Sequence, residues 1–182
     1  MSKHILPILR WLLLVWGGVS LAGVLALAAF IAFKVTPGKS DSASRDDVRF
    51  VLNWCRLGEN RIEKVVHSHV SARSLTGDHL DAYAIKISHV DLAELAKPTR
   101  DFDTRWHRGD QLPKVLDDAV GFVGGWLGRK ELSWFPREVE LRSSEFYIYP
   151  WSIYCHGVRP TAAQLIFIRP ADNMVFYFGA KS

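Results

Sequence analysis

Trp11 to Phe33 is a run of 23 residues without one charged side chain; its only polar groups are Ser20 and the indoles of Trp11 and Trp16. A helix rises about 1.5 Å per residue, so the run matches a hydrocarbon core of roughly 30 Å. Burying a charge at mid-bilayer costs about 3 kcal/mol or more, and the run avoids that throughout. The sequence predicts a short basic N-terminal tail over 1–10, a transmembrane helix over 11–33, a linker over 34–44 and a globular domain over 45–182. Secretory signal peptides have a shorter apolar core of about 7–15 residues before a small-x-small cleavage site. Ala26-Leu27-Ala28 has that pattern, but the apolar run continues through Phe33, so an uncleaved single-pass signal-anchor is expected. Lys3 and Arg10 in the short tail favour a cytoplasmic N-terminus and a C-terminal domain outside the cytoplasmic (inner) membrane, although Lys34, Lys39 and Arg45 flank the other side. Gly18, Ala22 and Ala26 recur every fourth residue, a small-xxx-small seam able to pack another helix in a homo-oligomer; such residues are also common in spans generally.

The remaining chain is long enough for one domain with its own core. All 19 acidic residues and all but two of the 23 basic ones lie beyond Phe33, so this part is close to neutral. It has no basic run and no nucleic-acid motif that would supply a phosphate-tracking surface. Cys55 and Cys155 are the only cysteines. Their spacing rules out a C-x-x-C redox or zinc pair. A disulfide between them would close a long loop, worth up to about 5 kcal/mol in the chain-entropy model; two separate buried thiols are the other reading.

The linker (KVTPGKSDSAS) has no apolar period. Ser44 is a good N-cap, with Asp46 and Asp47 in the first turn of a helix whose stripe is Val48, Val51, Leu52 and Cys55, ended by Gly58. A hairpin is expected over 61–90. Ile62, Val66, Val70 and Ala72 share one face of its first arm and Tyr83, Ile85 and Ile87 one face of its second. A two-residue turn at Gly77-Asp78 would pair Val70 with Ile85, His69 with Lys86 and His67 with Ser88. A helical turn over Asp91 to Ala96, a polar loop over 97–110 and a helix over Asp110 to Leu127 follow, with Gly121, Gly124, Gly125 and Gly128 allowing close packing on a sheet. Strands are expected at Leu132 to Phe135, Val139 to Leu141, Glu145 to Tyr149 and Trp151 to Cys155. A second hairpin, Gln164 to Arg169 and Met174 to Gly179, turns at Pro170-Ala171-Asp172-Asn173. Leu165, Phe167, Phe176 and Phe178 lie on one face of it, and Ile166, Ile168, Val175 and Tyr177 on the other, so these strands are covered on both sides. The fold class is α+β: a mainly antiparallel sheet and two main helices behind one transmembrane helix.

Candidate sites are few. His67 and His69 point to the same side of one strand and form a possible metal pair, but no acidic third ligand is evident and their face reads as solvated. Cys155 and His156 are consecutive on a strand and point apart, so they do not pair as nucleophile and base. Tyr147, Tyr149, Trp151 and Tyr154 cluster around Pro150 and suit a platform for sugar rings or a peptide, or the edge of a core. No catalytic motif, complete metal set or phosphate cradle is present, and no cofactor is implied. The expected function is a non-enzymatic binding or assembly module of the cell envelope. Its partners would be the lipid bilayer and another envelope protein or cell-wall component, with no nucleic acid. The alternatives are an envelope hydrolase using His67, His69 or His156, or a subunit of a larger membrane complex.

Overall fold

The computed structural model describes residues 5–34, 39–74, 77–97 and 105–182. Helix α1 (Ile5–Lys34) precedes β1 (Lys39–Ser40), α2 (Arg45–Trp54), β2 (Ile62–Val70), β3 (His79–Ile87), α3 (Leu92–Leu95), β4 (His107–Arg108), α4 (Lys114–Leu127), α5 (Glu138–Leu141), β5 (Tyr147–His156), β6 (Arg159–Arg169) and β7 (Met174–Lys181). The strands form one antiparallel sheet in the order β1-β2-β3-β7-β6-β5-β4. The fold is therefore α+β, with one apolar N-terminal helix.

In α1 the segment Leu13–Phe30 has a mean hydropathy of 2.2 and none of it is buried. It is long and apolar enough to cross a membrane, as are the helices of signal sequences. Gly18, Ala22 and Ala26 are all exposed on it.

Helices cover both faces of the sheet because the central strands are apolar on both. On one face Leu165, Phe167, Phe176 and Phe178 pack with Leu116, Ala119, Val120 and Val123 of α4. On the other, Ile166, Ile168, Val175 and Tyr177 pack with Val48, Val51, Leu52 and Cys55 at α2. Phe167 and Phe178 are fully buried, and truncating either to Ala would cost about 3–5 kcal/mol. The hairpin expected at 164–179 forms with Asn173 left-handed (φ 51°) after a 3₁₀ turn over Pro170–Asp172. Ser44 caps α2 as expected: its backbone N–H donates to the Asp47 carboxylate (2.7 Å), and its hydroxyl accepts from the Asp47 N–H (3.4 Å).

The first hairpin departs from its predicted register. Val70 pairs with Asp81, His69 with Ala82 and Val65 with Ile85, while Lys86 faces Lys64. The chain between β2 and β3 is eight residues, 71–78, rather than a two-residue turn. Bulges between Ile62 and Lys64 and between Val65 and His67 shift the register further along the hairpin. Each bulge breaks the two-residue period, so Val66 is exposed while Val65 packs inward and Ser68 is buried. The linker also contributes structure: Lys39 and Ser40 pair with Val70 and His69, and Ser68 Oγ accepts from the Ser42 and Ala43 N–H groups (3.1 and 3.2 Å).

Four further expectations are corrected. Leu132 to Phe135 and Val139 to Leu141 are not strands: Lys130–Leu132 is a 3₁₀ turn and Glu138–Leu141 is α5. Their apolar residues bury Leu132, Phe135 and Leu141 as single knobs against the core, without a period-2 face. The polar loop over 97–110 contains β4, and Pro113 caps α4, which starts at Lys114 instead of Asp110. Asp110 instead pairs with Arg108 at 2.5 Å. Pro150 sits inside one continuous β5, at a bulge between Pro150 and Ser152, where a missing N–H is tolerated. Finally, Gly121 and Gly124 make room for Arg142 and Glu138 beside α5, not for the sheet.

Two glycines give opposite expectations on replacement. A Cβ at Gly125 meets nothing within 4 Å, so Gly125→Ala should stabilise the protein by about 1 kcal/mol through helix propensity. A Cβ at buried Gly109 would collide with the backbone carbonyl oxygens of Leu141 and Ser143, so Gly109→Ala should destabilise by about 1–3 kcal/mol. Urea unfolding of the two variants beside the parent measures both signs.

Candidate functional site

The face of the sheet under α2 is best read as transverse rows. Tyr83, Tyr177, Ile166 and Tyr149 are register partners across β3, β7, β6 and β5, and all belong to the core beneath α2. Side chains two residues along a strand return to the same face. The next row is therefore Asp81, Gly179, Gln164 and Ser152, and the outermost row is His79, Lys181, Ala162 and Tyr154. Asp81, Gln164, Ser152, His79 and Ala162 are partly buried, and Tyr154 and Lys181 are exposed. A cavity of about 290 Å³ opens here, lined by His79, Tyr154, Thr161, Ala162, Gln164, Ala180 and Lys181.

Of the row Asp81, Gly179, Gln164 and Ser152, Gln164 lines this cavity. Gly179 has no side chain, and the Tyr177 phenol lies back over it, close enough that a Cβ there would overlap the hydroxyl. Tyr177 is only 3% exposed, yet its hydroxyl and the Gln164 carboxamide form no hydrogen bond among the described residues. Asp81 Oδ1 and Ser152 Oγ are sealed from solvent with no partner; Asp81 Oδ2 accepts from Arg73 at 3.0 Å. Buried polar groups in folded proteins are overwhelmingly paired. Among the described residues, Asp81 Oδ1 and Ser152 Oγ are the exceptions, and both lie in this row. Burial pushes the Asp81 carboxyl above its ordinary range, against the pull of Arg73, His79 and His69. Burial likewise raises Tyr177, and raises Tyr83 to about 12, with the Asp81 charge adding to both. Both phenols stay protonated and able to donate.

An aromatic cluster packs between α2 and the sheet. Phe50 meets Tyr177 edge-on at 5.3 Å and Trp54 at 4.5 Å, and Trp54 stacks on Trp151 with ring centroids 4.6 Å apart and planes 4° from parallel. Trp151, at the β5 bulge beside Ser152, remains 40% exposed.

The residues singled out from sequence fall in different places. Tyr149 is buried against Trp106, Tyr147 is half-buried in the same core, and Trp151 and Tyr154 are the accessible pair. Cys55 and Cys155 are free. Cys55 is buried under α2, where desolvation pushes its thiol up to about 12. Cys155 is exposed in a cleft with Lys114, Val115 and Asp118 of α4, across the sheet, so the two thiols are separate, and only Cys55 is buried. His67 stacks on Trp134 at 5.3 Å, and His69 Nδ1 lies 3.0 Å from Ser40 Oγ. Among the described residues no three His, Cys, Asp or Glu side chains are grouped to hold a metal. Asp81, Ser152, Gln164 and the Tyr177 hydroxyl were not singled out. Asp81 carried a readable signal, an acid in line with Tyr83, Ile85 and Ile87 on an apolar strand face. Ser152 did not, because its placement depends on the bulge.

The Asp81 carboxyl binds its proton more tightly in the folded chain than in the unfolded one. Its ionisation therefore subtracts stability as pH rises from its ordinary value of 3.8 through its raised folded one. Asp81→Asn should raise Tm at neutral pH, and the gain should shrink as pH falls towards 3.8. The lost contact to the half-exposed Arg73 is worth little. Thermal melts of both proteins across acidic to neutral pH check this; a gap independent of pH would contradict it. No protein-family model, no curated protein and no solved structure matches this chain.

Proposed function

We propose that this chain is a single-pass, membrane-anchored module of the cell envelope that binds a partner without catalysing a reaction. In this reading α1 is an uncleaved anchor in the cytoplasmic membrane, and the domain from Arg45 onward lies outside it. The anchor reading is supported by an uncharged helix segment none of which is buried in the domain. The binding reading is supported by one observation: an open groove lined by His79, Thr161, Gln164 and Lys181 with Tyr154 65% exposed at its rim. A groove with convergent polar groups and aromatic walls is the usual form of a ligand site. No nucleophile, base and orienting group come together there.

Two measurements test this. Trp151→Ala should abolish capture of a crosslinked partner from intact membranes. The variant's melting temperature establishes that it is folded, since losing the ring stack costs about 0.5–1.5 kcal/mol beyond the lost area burial. Retained capture would remove the groove as the contact. The full chain should stay in the membrane pellet after alkaline carbonate washing, with a reporter fused after Ser182 active outside the cytoplasm. Release into the wash would remove the anchor.

A further inference from the structure

We infer that a second cavity, at the C-terminal end of α2, binds the phosphate group of a small phosphomonoester. The cavity measures about 230 Å³, and its lining includes Arg56, Glu94, Lys97, Arg105, Trp106 and Tyr149. It shares no lining residue with the groove at His79 and Tyr154. Its charges come from three places in the chain: Arg56 just past α2, Glu94 and Lys97 at α3, and Arg105 just before β4. They meet only through the fold, so no basic run marks them in the sequence. Arg56 sits at φ 61°, a left-handed conformation normally given to glycine just past a helix. The chain holds an arginine there against that backbone preference, and its side chain is part of the cavity wall.

The charge balance of this lining selects a dianion. Its one carboxylate is already matched: Glu94 accepts from both terminal nitrogens of Arg61, at 2.7 and 2.9 Å. Among the described residues, the Arg56 and Lys97 side chains form no hydrogen bond and no ion pair. Arg105 Nε donates to His107 Nε2 at 3.3 Å, which leaves its terminal nitrogens for a ligand. The Cys55 thiol, also in the wall, stays protonated because burial pushes it up to about 12, so it adds no negative charge. Three cations against one carboxylate leave two positive charges in excess. A phosphomonoester carries a charge of about −1.5 to −2 at neutral pH on three strong acceptor oxygens, whereas a single carboxylate leaves half of the excess unmatched. Guanidinium forks engage phosphate oxygens in pairs, and two of the three cations here are arginines. Trp106 and Tyr149, with ring centroids 5.4 Å apart, give the organic part of the ester an aromatic surface. The volume lies below the roughly 300 Å³ at which pockets begin to take drug-sized ligands, so the ester is small. A lipid headgroup and a soluble ester offer this same chemistry.

The test uses the full chain in uncharged detergent micelles, in about 0.15 M sodium chloride so that loose surface attraction is screened. Phenyl phosphate is titrated by calorimetry beside benzoate, which presents the same ring and a single charge. Phenyl phosphate should bind saturably, and about tenfold or more tighter than benzoate. Arg56→Gly removes the guanidinium and suits the left-handed backbone. It should melt no lower than the parent and yet weaken phenyl phosphate binding about tenfold or more. Arg105→Gln should weaken it by a similar factor, while Lys130→Gln, an exposed cation outside the cavity, should bind as the parent does. Melting temperatures establish that each variant is folded. Absence of saturable binding, binding that ignores either arginine substitution, or equal affinity for benzoate overturns the phosphate assignment. Micelles doped with phosphatidic acid then identify the source. Displacement of phenyl phosphate by the doped lipid makes the occupant a lipid headgroup; no displacement makes it a soluble ester. Failure here leaves the groove as it stands, since Trp151→Ala tests that reading separately.

Discussion

The two-sided apolar character of β6 and β7 is the constraint on which the rest of the architecture depends. Phe167, Phe176 and Phe178 point one way and Ile166, Ile168, Val175 and Tyr177 the other. Neither set can be left in water, at about 25 cal/mol for each Å² of apolar surface. The chain must therefore supply cover on both sides, and it does so with helices drawn from different parts of the sequence, α2 ahead of β2 and α4 ahead of β5. Closing β7 onto β3 joins the early hairpin to the late meander in one sheet.

The groove arises where that cover stops. Helix α2 has ten residues, so it spans the sheet without covering its full length. Beyond it the strands continue for two more rows, and their side chains turn from Tyr and Ile to Asp, Gln, Ser and Gly. Polar groups that would be mispaired in the core are tolerated there, because each costs only about 1–3 kcal/mol when left unsatisfied. A domain with the usual marginal stability can carry a few of them.

Much of this was legible from residue order, and the failures have local causes. The late hairpin was readable because both arms keep an unbroken period of two and a Pro-Ala-Asp-Asn turn leaves one register. Helix α2 was readable because Ser44, Asp47 and the Val48–Cys55 stripe agree. The early hairpin was not, because two bulges and an eight-residue connection erase the periodicity on which register inference rests. Short apolar groups such as Val139 to Leu141 look alike in a strand and in a single helical turn. At the groove, Trp151 and Tyr154 stood out by composition. The polar row is a property of four separate strands, assembled only when β7 lies between β3 and β6.

The brief pairing of Lys39 and Ser40 with the end of β2 has a mechanical consequence. From Lys34, where α1 ends, to Lys39 the backbone covers five residue steps, at most about 18 Å when fully stretched. Were α1 embedded in lipid, as proposed, that reach would bound the distance of the β1–β2 margin from the headgroups. The domain would then sweep a thin shell above the bilayer. Ligands confined to that shell would be met at a far higher local concentration than those free in the surrounding compartment.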